Sequence, residues 1–111
     1  MSDERIPTSL WVDGQIRMLD AHTIPVYVRN KGAYAGGMVM VKVAVPGEKI
    51  AQIYYRARDE DGALIWQTAF DANNGTDEEK ADAYIADELA IDPDLWVLEV
   101  EADNLANPVM E

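Results

Sequence analysis

The spacing of apolar residues changes period three times along this chain, and each change decides whether a segment can be helix or strand. Val12, Ile16 and Leu19 recur at helical spacing, flanked by Trp11 and Met18. Thr8 and Ser9 precede them, and either side-chain oxygen can accept the unpaired N–H groups of a first helical turn. The spacing predicts a helix through about His22. From Ile24 the pattern alternates, with Ile24, Val26 and Val28 against Pro25, Tyr27 and Arg29. After a glycine-rich turn, Val39, Val41, Val43 and Val45 alternate with Met38, Met40 and Lys42 until Pro46-Gly47 breaks the run. Residues 50–58 and 63–70 read as two further strands joined by the hairpin loop Asp59-Glu60-Asp61-Gly62. The helical period returns after Thr76-Asp77-Glu78-Glu79, which has capping-box spacing, with Ala81, Tyr84, Ile85 and Leu89 as its apolar stripe. Pro93 ends this helix by Ile91, because the residue before a proline is pushed out of the α region. Residues 95–102 alternate again, Trp96, Leu98 and Val100 against Val97, Glu99 and Glu101.

The predicted order is therefore α-β-β-β-β-α-β, an α+β fold. Short connections favour antiparallel neighbours, so a two-layer domain is expected, with about five mostly antiparallel strands and both helices on one face. The chain, 1–111, reads as one domain, with residues 1–7 and about 103–111 as loose ends.

Asp92-Pro93-Asp94-Leu95-Trp96-Val97-Leu98-Glu99-Val100-Glu101 carries a resemblance to a family of small bacterial proteins catalogued as domain of unknown function 1491. Trp11-Val12, Gly32, Ala35-Gly36-Gly37 before the valine-rich strand, and Gly62 shortly before Trp66 add to it. The resemblance spans nearly the whole chain and implies the same order of elements and a cytoplasmic place. It implies no activity. The family often has an acid after the glycine of the first strand-connecting turn, where this chain has Ala33.

Charge divides the chain. Residues 71–111 hold thirteen acids and one base, Lys80, and so carry the whole net charge of -12, while residues 1–70 balance to zero. The simplest account is a solvated, solubilising surface. The chain has no apolar run near the ~18 residues of a membrane span, and no basic start leading into an apolar stretch, so neither a membrane nor a secretory route is expected. The absence of cysteine excludes disulfides and thiolate metal sites.

Catalytic chemistry has few residues to use. The single histidine, His22, lies about 20 Å along a helix from Ser9, too far for a nucleophile–base pair. Asp92, Asp94, Glu99 and Glu101 are the remaining acid/base or Mg²⁺-binding candidates, against the simpler account that the aspartates shape the turn at Pro93 and the glutamates face water. No cofactor is expected. By alternation the uncovered sheet face should carry Tyr27, Arg29, Met40, Lys42, Gln52, Tyr54, Arg56, Gln67, Glu99 and Glu101. Aromatics among bases could stack nucleobases, but -12 repels a polyanion, so no nucleic-acid binding is expected. A cross-strand ladder joining Glu99 and Glu101 to Arg29, Lys42 or Arg56 is favoured over any ligand role.

The function these residues favour is a non-enzymatic protein-interaction or regulatory module meeting a protein partner or closing a homodimer. Its surface would be Tyr27, Arg29, Met40, Lys42, Tyr54 and Arg56 on the sheet, with Asp82 and Asp87 as outward acids on the second helix. The alternatives are a metal-dependent enzyme using the carboxylates around Pro93, and a nucleic-acid mimic that inhibits a basic protein.

Overall fold

The computed structural model describes residues 7–58 and 60–109. Helix α1 (Thr8–Ala21) leads to β1 (Val26–Asn30), β2 (Val39–Val45), β3 (Ile50–Arg58), β4 (Leu64–Thr68), the two-residue β5 (Thr76–Asp77), α2 (Glu78–Ile91) and β6 (Trp96–Glu101). The α+β class and the predicted order hold, with β5 added. The strands lie in the order β1-β6-β2-β3-β4, and β5 pairs with the start of β3. Among the described residues only β2 and β6 run parallel; the other pairings are antiparallel. Among the described residues no helix is long and apolar enough to cross a membrane.

The helices do not share a face, which corrects the two-layer expectation. Helix α1 packs Val12 and Leu19 against Val39, Val41, Val43, Leu98 and Val100. Helix α2 packs Ala81 and Ile85 against Met40, Ala44, Ala51, Ile53 and Val97 on the other side. The result is three layers, with all seven residues of β2 buried in the middle. A strand covered on both faces has no solvent side to pattern, so it reads as an almost unbroken apolar run. Val-Met-Val-Lys-Val-Ala-Val is such a run, interrupted only by Lys42.

The register across the β2–β3 turn corrects a second expectation. Val45 pairs with Ile50, so Lys42 stands opposite Ile53 while Val41 stands opposite Tyr54. Odd residues of β2 thus share a face with even residues of β3. Tyr54, and Arg56 opposite Trp66, point to the α1 side, away from Met40 and Lys42. The C-terminal segment is not loose either. Val109 is buried in the α1-side core, and the Tyr54 hydroxyl donates to the Leu105 carbonyl at 2.6 Å. Residues 1–6, 110 and 111 of the expected loose ends lie outside the described residues.

Helix starts differ from expectation by one residue each. Neither Thr8 nor Ser9 caps α1 through its side chain; the Ser9 N–H donates instead to the Tyr34 carbonyl at 2.9 Å. In α2 the cap is Asp77, whose carboxylate accepts from the Lys80 N–H at 2.9 Å. Thr76 is used in β5, opposite Ala51.

The run from Asp92 to Trp96 and the turn between β1 and β2 form one unit. Asp92 Oδ1 accepts from the Asp94 N–H, and the Asp94 carbonyl accepts from the Ala33 N–H. The Trp96 indole N–H donates to the Ala33 carbonyl at 2.7 Å, and its backbone N–H donates to the Met38 carbonyl at 2.8 Å. A β-carbon on Gly32 would fall on the Asp94 carbonyl and the Trp96 ring. Gly32→Ala should therefore cost about 2 kcal/mol by overpacking against backbone that cannot yield. Urea unfolding checks this, with Gly36→Ala, which has open space around it, as the near-neutral control.

Candidate functional site

A lysine in the middle of a buried strand must find carboxylates, since an unpaired buried ammonium is costly. The Lys42 side chain is 2% exposed, and its Nζ lies 2.8 Å from Glu78, 2.8 Å from Asp82 and 3.2 Å from Glu99. Three elements deliver these groups. Glu78 and Asp82 stand one helical turn apart on the inner face of α2. Glu99 comes from β6, whose parallel register sets it beside Lys42. From β1, Arg29 adds contacts of 2.7 Å to Asp82 and 3.5 Å to Glu99. Two cations thus face three carboxylates.

Burial opposes both charged forms here, and the pairing outweighs it. Desolvation alone would lower the Lys42 ammonium, yet its bonds to Asp82 and Glu78 and the charge of Glu99 raise it above the ordinary 10.5. Desolvation alone would raise Asp82, yet Arg29 and Lys42 hold it below the ordinary 3.8. Both groups therefore stay charged through the neutral range.

The sequence-predicted surface is divided by this arrangement. Met40 and Lys42 are buried beneath α2 and belong to no surface. Asp82 is committed to Lys42 and Arg29, whereas Asp87 is exposed. Tyr27 and Arg29 are exposed on β1, with Tyr27 opposite Glu99. Tyr54 and Arg56 lie across the sheet. The Arg56 guanidinium sits over Trp11 and Trp66, 4.9 and 5.7 Å from the ring centroids. Burial pushes the Tyr54 phenol above its ordinary 10.0. The aromatic–basic platform suggested by alternation is thus two separate groups. Gln52, expected on the same face, is buried; it receives the Phe70 N–H and donates to the Asp71 carbonyl, filling the gap in the ladder between β4 and β5.

The four carboxylates around Pro93 are also not gathered. Asp92 and Asp94 shape the turn before β6, and Glu101 ends that strand, roughly 20 Å further along. Of the four, only Glu99 joins a cation among the described residues. Among the described residues no three His, Asp or Glu side chains are placed to hold a metal ion. The favoured ladder does form at Glu99 with Lys42 and Arg29, and α2 completes it. Glu78, which the sequence alone does not single out, completes the group; the lone lysine in β2 is the signal that calls for such a partner.

Lys42→Met should cost about 3 kcal/mol, because it leaves three carboxylates facing one another with Arg29 alone; chemical denaturation of both proteins measures this. The pH dependence has a definite sign. The Asp82 contribution is present above 3.8 and lost as pH falls through its lowered folded value. The Lys42 contribution is present below 10.5 and lost as pH rises through its raised folded value. The stability gap between wild type and Lys42→Met should be widest between those limits and narrow outside them, read from melts in a buffer series.

The model of the family described as "Protein of unknown function (DUF1491)" matches residues 6–110. The chain is similar to the crystal structure of a DUF1491 family protein from Caulobacter crescentus CB15, with 31% identity, a TM-score of 0.77, and 94% of this chain and 98% of that one covered. An NMR structure of a DUF1491 family protein from the same organism gives 31% identity and a TM-score of 0.72, covering 96% and 97%. The solution structure of a protein from A. tumefaciens gives 25% identity and a TM-score of 0.72, covering 91% and 89%. No curated protein matches the chain.

Proposed function

The chain belongs to the DUF1491 family, and we propose that it works as a non-catalytic protein-interaction module of the cytoplasm. The observation that carries this reading is that four large apolar side chains are exposed on segments that adjoin one end of the sheet. Tyr34 (61% exposed), Met38, Leu10 and Ile91 (79%) all flank the unit formed by the glycine turn and the start of β6. Leu10 follows Ser9, which is bonded to Tyr34; Met38 is bonded to Trp96; Ile91 precedes the Asp92 turn. Large apolar groups exposed around a hydrogen-bonded frame are what a partner can bury with little loss of entropy.

Two further features support the reading. The carboxylates best placed for acid/base work, Glu78, Asp82 and Glu99, are held in ion pairs with Lys42 and Arg29. The excess acid of residues 71–111 would steer a basic partner towards the molecule.

Affinity capture from the native cell extract tests this, comparing wild type with a Tyr34→Ser, Ile91→Ser double variant. Both positions are exposed, so the variant should melt within a few degrees of wild type. A partner retained by wild type and lost roughly tenfold by the variant is expected, about 1.4 kcal/mol of binding. Equal retention by the two would overturn the reading.

A further inference from the structure

We propose that the free edge of β1 takes up an extended, lysine- or arginine-bearing segment of a partner protein as an added strand. The proposal rests on the interaction-module reading and names where, and to what chemistry, the module binds. Among the described residues, strand β1 is the terminal strand of the sheet and pairs only with β6. The Glu101 N–H donates to the Pro25 carbonyl, which marks Pro25/Glu101 and, two residues on, Tyr27/Glu99 as the bonded pairs. The N–H and C=O groups of Val26 and Val28 therefore point away from β6. Tyr27 is 55% and Val28 42% exposed, one side chain on each face of the strand. An edge left open with apolar side chains on both faces is what isolated proteins usually guard against, and what strand addition uses.

Charge selects the occupant. On the α2 side of this edge, Glu78, Asp82, Glu99 and Glu101 outnumber Arg29 and Lys42. A second copy would bring another -12 against the same edge. Five paired residues would also bury far less than the ~1,200 Å² of a stable interface, with nothing to offset that repulsion. A cationic segment gains from the field that a second copy opposes, and its strand continues past Asn30 towards the exposed apolar end.

The test follows backbone amide shifts of the full chain during titration with a short synthetic peptide alternating valine and lysine. A valine–glutamate peptide of the same length is the control. The expected result is saturable shifts at Val26, Tyr27 and Val28, weakened roughly tenfold between about 50 and about 300 mM salt, and absent with the glutamate peptide. Val28→Pro removes an outward N–H and no ladder bond, so it should keep the fold and abolish the shifts. Unshifted β1 amides at millimolar lysine peptide, equal binding of the glutamate peptide, or a concentration-dependent dimer lost in Val28→Pro would each overturn the proposal. Extract capture that depends on Tyr34 and Ile91 while β1 stays unshifted would overturn this proposal and leave the module reading standing.

Discussion

One ammonium group organises the fold. Lys42 sits at the centre of β2, a strand buried on both faces, where its charge is tolerable only if carboxylates surround it. That demand places α2 over this side of the sheet, with Glu78 and Asp82 turned inward. It matches the parallel register of β6, which brings Glu99 alongside, and it draws Arg29 from the outermost strand. Four elements distant in sequence meet at one group of charges. Such a group need not add net stability over an apolar core, but it penalises any register that breaks it. A one-residue slip of β6 would turn Glu99 to the α1 side and leave Lys42 short of an anion.

The second constraint is steric and lies at the end of the sheet. The β1–β2 connection passes over the start of β6, so Gly32 and Gly37 must lie against the Asp94 carbonyl and the Trp96 ring. The indole N–H then ties the ring to the same turn. The Asp-Pro-Asp-Leu-Trp run and the glycine-rich turn are thus two sides of one contact, which also holds the first turn of α1 through Ser9 and Tyr34. The exposed apolar groups stand on this frame, and the free edge of β1 runs up to it.

Much of the fold was legible because periodicity is a local signal. Helix α2 ends at Ile91 as Pro93 required, and Val12 and Leu19 are the buried positions of α1. What failed was non-local. The faces of β2 and β3 depend on whether the turn pairs Val45 with Ile50, and one residue of loop reverses every assignment. Alternation therefore joined Tyr54 and Arg56 to Lys42 when the sheet separates them. The two-sided burial of β2 was written in its apolar run, yet Met38, Met40 and Lys42 looked like a solvent face. The candidate surface failed for the same reason: Lys42 was read as an exposed base, whereas its isolation among valines signalled burial with partners. Glu78 was hidden because an acid in a first helical turn already has a sufficient local explanation.

The central claim is that Lys42 and its carboxylates act as one coupled group. A double-mutant cycle with Lys42→Met and Asp82→Asn, read by urea unfolding, tests it most directly. The single changes should be non-additive, with the double variant more stable than their sum predicts by at least about 1 kcal/mol, since each single change strands a charge that the other removes. Additivity within about 0.3 kcal/mol would contradict the account and reduce the cluster to independent pairs.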